Sequence, residues 1–172
     1  MVLGSNDTNR QGIIYITSSD DGAPYIDVLD GVNSHIHTTP RNIRYIRDWL
    51  NGSSINDGNH WVEIKALNRA GVNIASGKTV TGLNGSNPQF PLSRVTDDNI
   101  DTAYYGEQAV VGGLQWVHVD LGSIQEVDKI QVWHYYGDGR TYYKTKTEVS
   151  ADGVTWYPIF DSAWYRDWET ED

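Results

Sequence analysis

Short runs of β-branched and aromatic residues alternate with polar residues along the chain, and turn-forming residues separate these runs. No window sustains the apolar period of a helix over three or four turns. The pattern therefore predicts an all-β protein, and the regular spacing of the runs after residue 73 is typical of a β-sandwich. The predicted strands are Ile13–Thr17, Tyr25–Leu29, Pro40–Trp49, His60–Ile64, Thr79–Thr81, Trp116–Leu121, Lys129–Trp133, Thr145–Val149 and Trp156–Phe160.

Two hairpins are predicted in the first part of the chain. Strands Ile13–Thr17 and Tyr25–Leu29 flank a Ser-Ser-Asp-Asp-Gly turn. Strands Pro40–Trp49 and His60–Ile64 flank a loop rich in Gly, Ser and Asn. Strand-like runs joined by turn residues are the sequence signature of hairpins. The chain accordingly divides into an N-terminal arm with a hairpin at residues 1–39 and a sandwich at residues 40–172.

Charge and composition exclude some classes of binding partner. The chain has 13 Lys and Arg against 23 Asp and Glu, a formal charge of −10, and this sign opposes the counterion release that drives nucleic-acid binding. No apolar run approaches the roughly 20 residues of a membrane-spanning helix, so we expect neither nucleic acid as a partner nor membrane insertion. The 7 Trp and 11 Tyr outnumber the 2 Phe, and their N–H and O–H groups suit surfaces that are partly wet.

The sequence carries no catalytic signature. Paired acidic residues such as Asp20 with Asp21 and Asp97 with Asp98 fall in predicted turns, where turn chemistry explains them. No Ser lies in a nucleophile elbow, no Gly-rich phosphate loop precedes a helix, and no Cys is present for thiol chemistry or a Cys-based zinc site. We therefore expect a protein that is not an enzyme.

Four motifs follow one another in order over about half of the chain. They are Asn73–Lys78 (Asn-Ile-Ala-Ser-Gly-Lys), Arg94–Asn99 with Thr102, Trp116–Gly122, and Ser150–Trp156 (Ser-Ala-Asp-Gly-Val-Thr-Trp). In this order they resemble the discoidin, or coagulation factor type C, domain family, which includes galactose-binding carbohydrate-binding modules. The resemblance implies a jelly-roll β-sandwich of the galactose-binding kind, a ligand site on the loops at one end and, as in many members, a structural calcium ion.

The order of the motifs departs from the family at one point. Members of the family end on an aromatic-hydrophobic-Arg strand and a later strand with a Glu, whereas here Arg44–Arg47 and Trp61–Ile64 precede the other motifs. A circular permutation is tolerated because the ends of a sandwich lie close together. We therefore expect residues 40–66 to supply the closing strands of a domain whose main body is residues 71–163. In the alternative, residues 12–66 end one repeat and residues 71–172 begin the next.

The resemblance also implies where calcium would bind. Calcium takes six to eight oxygen ligands from carboxylates, carbonyls and hydroxyls. The implied ligands are the Asp97 carboxylate, the Thr102 hydroxyl, main-chain carbonyls near Arg94, Asn99 and Thr102, and a second carboxylate from Glu63. In the alternative, Asp97 only caps an Asn- and Asp-rich turn. Asp98 stands where the family usually has Gly.

Sugar recognition requires an aromatic surface for the C–H face of the ring and a few polar groups for its hydroxyls. The loop His134–Tyr143 contains both, and the loop at residues 104–108 and the segment Asn84–Phe90 would flank it. Alternation along the strands predicts that at least half of these tyrosines pack on a sheet. The predicted ligand-binding residues, for a glycan or polysaccharide, are His134, Tyr135, Tyr136, Arg140 and Tyr142 with Tyr105 and Glu107.

An assembly role is the alternative function. His35 and His37 lie on one face of an extended segment, where two imidazoles clasp a transition metal if three chains meet on an axis, although a solvated strand face explains the pattern as well. The Asn- and Gly-rich style resembles modules of bacterial secreted proteins and of phage tail or virion adhesins. We therefore expect an extracellular or virion-surface protein that binds glycans. The alternative is a structural domain of a phage tail or virion, which could assemble as a trimer.

Overall fold

The computed structural model describes residues 13–14, 17–18, 24–30, 33–38, 42–110 and 112–165. Their strands are β1 (Ile13–Ile14), β2 (Thr17–Ser18), β3 (Pro24–Asp30), β4 (Asn33–Thr38), β5 (Asn42–Leu50), β6 (His60–Leu67), β7 (Thr79–Gly82), β8 (Gly106–Glu107), β9 (Gln115–Glu126), β10 (Lys129–His134), β11 (Lys146–Ser150) and β12 (Tyr157–Asp161). Two short 3₁₀ helices cover Leu92–Thr96 and Ser162–Tyr165. Among the described residues, no helix is long and apolar enough to cross a membrane.

The strands form two antiparallel sheets around a shared core, so the predicted all-β sandwich is confirmed. One sheet has five strands in the order β12-β11-β5-β9-β7, and the other has four in the order β1-β10-β6-β8. A separate three-stranded sheet has the order β2-β3-β4. The jelly-roll connectivity that the family resemblance implies stays a prediction.

Alternation explains why the strands after residue 73 lie where the sequence predicts them. In β9 the side chains of Val117, Val119 and Leu121 are buried, whereas those of Trp116 and the residues that alternate with it are half-exposed. Such a period of two residues places every second side chain of a strand on the core face. The predicted strands therefore overlap β7, β9, β10, β11 and β12. Their ends differ by at most one residue except in β9, which continues beyond the predicted Leu121 to Glu126.

The second predicted hairpin is wrong, because β5 and β6 belong to different sheets. Strand β5 lies between β11 and β9 in the five-stranded sheet, and β6 lies between β10 and β8 in the four-stranded sheet. The loop at residues 51–59 therefore crosses from one sheet to the other instead of turning back within one. Both strands bury an apolar face in the shared core, Ile46 and Leu50 from β5 and Trp61 and Ile64 from β6.

The N-terminal strands are described by their backbone pairing. Thr17 pairs with Tyr25 where β2 meets β3, in the position of the first predicted hairpin. Strand β1 instead joins the four-stranded sheet, with Ile13 opposite Gln131. His35 and His37 lie in β4, which pairs with β3. Their side chains lie outside the described residues, so the metal clasp stays a prediction.

A buried polar network joins the two sheets within the core. Asp48 on β5 has no exposed surface. Its carboxylate accepts hydrogen bonds from the indole N–H of Trp61 (2.9 Å), from Nε2 of His134 (2.7 Å) and from the hydroxyl of Thr147 (2.6 Å). Buried polar groups are tolerated when they are hydrogen-bonded, so Asp48 links β5 and β11 of one sheet to β6 and β10 of the other.

Candidate functional site at the loop end

Several loops meet at the end of the sandwich where β5 and β10 finish and where β6, β9 and β11 begin. We call this region the loop end. Main-chain hydrogen bonds fix the loop at residues 135–145 to the loop at residues 51–59: Tyr143 donates to the carbonyl of Gly52 (3.0 Å), Asn51 donates to that of Tyr143 (2.9 Å), and Ser54 donates to that of Thr141 (2.8 Å). These main-chain hydrogen bonds therefore hold the two loops together as one surface.

Four aromatic rings contact one another at the loop end. The ring of Tyr105 stacks on that of Phe90, with centroids 4.6 Å apart and an interplanar angle of 10°. Tyr135 and His60 approach Tyr105 edge-on, at centroid distances of 5.5 and 4.9 Å. All four residues are half-buried. With Glu107 and Arg140 they form what we call the Tyr105 cluster.

His60 is the polar centre of the Tyr105 cluster. Its Nε2 lies 3.5 Å from Glu107 Oε1, whereas its Nδ1 lies 3.1 Å from the Arg140 guanidinium and 3.3 Å from the Tyr142 hydroxyl. A proton on Nε2 therefore faces Glu107 and leaves Nδ1 free to accept from Arg140 and Tyr142. Gly58 permits this arrangement, because a β-carbon there would lie 2.5 Å from Cε1 of the His60 ring.

The Arg140 side chain of the Tyr105 cluster is only 8% exposed and is fixed by its neighbours. Its guanidinium lies over the Tyr135 ring, 4.7 Å from the centroid. It also donates two hydrogen bonds to the Asp138 carboxylate, at 2.8 and 2.6 Å. A bidentate ion pair of this kind fixes the plane of the guanidinium. The cluster therefore presents its cation in a defined orientation.

Burial changes the ionisation of the Tyr105 cluster. Burial, reinforced by the positive charge of Arg140 and opposed by Asp138, lowers the pKa of His60 to about 4. Burial also raises the pKa of Glu107, and a hydrogen bond from Asn87 opposes this effect. At neutral pH the imidazole of His60 is therefore uncharged, and Arg140 is the cation of the cluster.

The structure brings most of the predicted ligand-binding residues together. Tyr105, Tyr135, Glu107, Arg140 and Tyr142 all contact His60 or one another. Tyr136 lies on the same loop and donates from its hydroxyl to the carbonyl of Ile100 (2.8 Å).

His134 lies deeper, with its ring 5.4 Å from that of Tyr142, and His60 is not among the predicted site residues. His134 is only 7% exposed and is directed into the sandwich, where it bonds Asp48. In β10 every second residue from Ile130 is buried, and this period includes His134. His60 is distant in sequence from the predicted loop, and its position directly after the Gly/Ser/Asn loop is the only signal that the sequence offers.

A second polar feature surrounds Glu63 on β6. This side chain is completely buried, and neither carboxylate oxygen has a hydrogen-bond partner. Burial, reinforced by the negative charges of Asp97 and Asp98 and opposed by Lys65, raises the pKa of Glu63 to about 8. The main-chain amide of Asp98 lowers this pKa slightly but falls short of hydrogen-bonding geometry. A buried carboxylate without a partner costs free energy unless it is protonated or meets a cation.

The loop beside Glu63 is a series of side-chain-capped turns. Oδ1 of Asp97, Asn99 and Asp101 each accepts the main-chain N–H two residues further on, at 2.9 Å. Asp98 has a φ of 65°, a left-handed conformation that glycine adopts readily and that Asp tolerates. This conformation gives a physical reason for a Gly at that position in similar loops.

The side chains of this loop are engaged in different ways. The Asp98 carboxylate accepts from the amide of Asn73 (2.8 Å) and from the hydroxyl of Ser76, and lies 3.5 Å from the Lys65 ammonium. The Arg94 guanidinium lies 5.9 Å from the centroid of the Tyr104 ring, and Thr102 is half-buried. No group of three or more His, Cys, Asp or Glu side chains with metal-binding geometry occurs in the part of the chain that the structure describes.

The fold and the loop end define an all-β sandwich that carries an aromatic and polar cluster on its loops. Comparison with protein-family models, with curated proteins and with solved structures finds no match to this chain. The discoidin resemblance therefore stays a prediction that rests on the four motifs, and functional arguments rest on the geometry of the site.

Proposed function

We propose that this protein is a non-catalytic carbohydrate-binding module that attaches a larger assembly to glycans, on a cell surface or in a polysaccharide. The Tyr105 cluster is the proposed ligand site. The observation that carries the proposal is the combination, on loops fixed to each other, of half-buried tyrosine rings with an oriented guanidinium, a neutral imidazole and a carboxyl group. Sugar sites need this combination of an apolar face and a few directed polar groups.

Each part of the Tyr105 cluster has a role in the proposed site. The rings of Tyr105 and Tyr135 receive the C–H face of a sugar ring, and Glu107 and Arg140 reach its hydroxyls through the small exposed fraction of their side chains, 9% and 8%. His60 holds these two polar groups in place through its two ring nitrogens. His134 acts only indirectly, as a positioning residue that supports the loop end through Asp48. A module that presents such a site belongs outside the cell or on a virion surface.

Removal of the tyrosine face tests the glycan proposal. We expect Tyr105→Ala and Arg140→Ala each to weaken the binding of a glycan identified on an array by about 3- to 10-fold, since an aromatic contact and a hydrogen bond each contribute about 0.5–1.5 kcal/mol. Isothermal titration with that glycan measures the change. Tyr157→Ala and Arg69→Ala are matched controls, because both residues are exposed and lie away from the loop end. Binding to no glycan, or equal effects of all four changes, would contradict the proposal.

We also propose that calcium binds between Glu63 and the loop at residues 94–102. The residues present fit this ion, because a completely buried carboxylate without a partner is close enough to a second carboxylate, Asp97, for their negative charges to repel each other. Calcium takes several oxygen ligands in a flexible geometry. The Thr102 hydroxyl and main-chain carbonyls near Arg94, Asn99 and Thr102 would complete the shell. The ion would fix the base of the loop that leads to Tyr105.

An assembly domain of a phage tail or virion is the second candidate. The observation that favours it is the exposure of apolar side chains at the loop end, with Ile55 exposed by 59% and Leu114 by 48%. Exposed apolar groups that lie together often mark protein contacts. Light scattering of the purified protein separates the two candidates: a stable trimer without affinity for any glycan favours assembly, and a monomer that binds glycans favours recognition.

A further inference from the structure

A cavity of about 400 Å³ opens at the loop end on the side of the five-stranded sheet. Its walls come from the end of β5, the loop before β9, the start of β11 and the segment after β12. The residues that matter for its chemistry are Trp49, Leu114, Lys144, Lys146, Asp161 and Ser162. None of these residues belongs to the Tyr105 cluster.

Hydrogen bonds and ring contacts hold Trp49 in the apolar wall of this cavity. The indole N–H of Trp49 donates to Glu148 (2.9 Å), and the Arg47 guanidinium lies 5.1 Å from the centroid of the Trp49 ring. Glu148 also accepts from Arg47, at 2.8 and 2.9 Å. The ring is therefore held with its polar edge satisfied, and Trp49 lines the cavity together with Leu114.

The two lysines of the cavity differ in their partners. The Lys146 ammonium is paired with Glu148 (2.7 Å) and lies 5.3 Å from the centroid of the Trp49 ring. Lys144 is exposed, and its side chain makes no hydrogen bond or ion pair with any residue in the described part of the chain. The cavity therefore carries one cation that is paired with Glu148, one cation that is available, and one carboxylate, that of Asp161.

The backbone of Lys144 has an unfavourable conformation at the cavity. Its φ of 51° lies in the left-handed region, which costs free energy for a residue with a β-carbon. Both neighbours are fixed: Tyr143 exchanges hydrogen bonds with Asn51 and Gly52, and the carbonyl of Thr145 accepts from Ser162 (2.8 Å). Such conformations persist where the surroundings impose them, and they are more frequent at functional sites.

We propose that this cavity is a separate subsite for a sugar ring that bears a carboxylate, such as a hexuronic acid residue of an acidic polysaccharide. Trp49 and Leu114 pack against the C–H face of the ring, and Lys144 pairs with its carboxylate. Asp161 and Ser162 hydrogen-bond hydroxyls. The charge of −10 over the whole chain does not prevent this pairing, because charges more than about 8 Å away are largely screened at physiological salt. The inference rests on the proposed glycan-binding function, for which it names a class of sugar.

The test compares sugars that differ only at the acidic group. Glucuronic acid, glucose and glucuronamide are titrated into the protein while tryptophan fluorescence and amide chemical shifts are followed. We expect glucuronic acid to bind about 3- to 5-fold more tightly than the two neutral sugars, the range of an exposed ion pair, and to lose this preference at high salt. Equal affinities for the three sugars would overturn the subsite.

Variants at Lys144 separate charge from folding. Lys144→Gln is expected to abolish the preference for the acid and Lys144→Arg to retain it. Lys144→Gly is expected to abolish it while keeping or raising the melting temperature, because glycine adopts the left-handed conformation without strain. Lys78→Gln is the control at the opposite end of the sandwich, where β7 begins. A preference that persists in Lys144→Gln and Lys144→Gly would overturn the assignment.

The outcomes for the two sites are distinguishable. If Tyr105→Ala removes binding of a neutral glycan while all Lys144 variants behave as wild type, the acidic subsite is wrong and the proposed function stands. If Lys144 governs the binding of glucuronic acid while Tyr105→Ala changes nothing, the acidic subsite stands and the assignment of the Tyr105 cluster is wrong. Benzoate that binds as tightly as glucuronic acid would overturn the sugar class, because the cavity would then prefer any flat apolar anion.

Discussion

Calcium is expected to raise the melting temperature of this protein, and the gain is expected to increase as the pH rises from 6.5 to 8. An ion at about 100 times its dissociation constant stabilises a folded protein by about 2.7 kcal/mol. For a chain of this size this corresponds to about 5–10 °C. The gain depends on pH because the proposed site includes Glu63, whose pKa is raised to about 8 in the folded protein.

The sign of the pH dependence without calcium follows from Glu63. Its ordinary pKa is 4.5, whereas the folded pKa is about 8, so between these values the folded state retains a proton that the unfolded state has lost. The stability from this group is fully present below pH 4.5 and is lost as the pH rises through 8. Each pH unit between costs up to about 1.4 kcal/mol. Calcium displaces the proton, so its affinity rises with pH and the loaded protein escapes this loss.

The pH window separates the titration of Glu63 from that of two half-buried histidines. Burial lowers the pKa of His60 to about 4 and also lowers the pKa of His118, each from an ordinary value of 6.5. A depressed pKa contributes stability that is present above 6.5 and is lost as the pH falls. The histidines therefore act below the window, and within it the change without calcium reports Glu63 with its neighbours Asp97, Asp98 and Lys65.

Two variants and a control make the calcium test decisive. Thermal melts of Glu63→Gln should show neither the response to calcium nor the loss of stability between pH 6.5 and 8. Asp97→Ala should lose the response to calcium but keep part of the pH dependence, because Glu63 stays buried. Asp57→Asn removes an exposed carboxylate at the loop end and should behave as wild type. A wild-type melting curve that chelator leaves unchanged across the window would remove the site.

The sequence predicts which face of a strand is buried better than it predicts which strands pair with each other. The alternation of Val117, Val119 and Leu121 is enough to place β9 and its core face. The same alternation in β5 and β6 says which side chains are buried but not whether the strands pair, and the chain crosses to the other sheet between them. Pairing depends on the tertiary arrangement of loops and sheets, which a periodic pattern does not contain.

The candidate site shows the same limit. Tyr135 and Arg140 stand five residues apart in one loop rich in recognition chemistry, so their composition alone indicates a site. His60, which joins Arg140 to Glu107, is 80 residues from Arg140 and is brought there only by the fold. His134 was predicted to bind a ligand from its loop-like neighbourhood, although the period of two residues in β10 already directs it inward.

The second large effect is expected at Asp48, where Asp48→Ala should lower the free energy of unfolding by about 3–5 kcal/mol. The change leaves the indole N–H of Trp61, His134 Nε2 and the Thr147 hydroxyl buried without their acceptor. Unpaired buried donors cost more than the hydrogen bonds themselves contribute. The midpoint of urea denaturation, with the slope of the transition checked for constancy, measures the loss.

A pair of matched variants measures how much one of these donors, the hydroxyl of Thr147, contributes to stability. Thr147→Val removes one hydroxyl without changing shape and should cost about 1–2 kcal/mol, because Asp48 keeps two other donors. Thr79→Val, at an exposed position on β7, is its control and should change the stability by less than about 0.5 kcal/mol. Equal losses in these two variants would mean that the hydroxyl of Thr147 contributes nothing specific to the core.

A double replacement tests whether the hydrogen bond between Asp48 and His134 stabilises the fold more than apolar side chains in the same space would. Asp48→Leu and His134→Leu each leave one partner unpaired, whereas the double variant removes both charged or polar groups and fills the space with apolar atoms. We expect the double variant to be more stable than the sum of the two single losses predicts, since well-packed apolar residues often replace a buried pair without net cost.

If the double variant keeps glycan affinity at a temperature at which it is folded, His134 acts on the site only through stability. If affinity falls while stability is restored, the link between Asp48 and His134 sets the position of the loop that presents Tyr135 and Arg140.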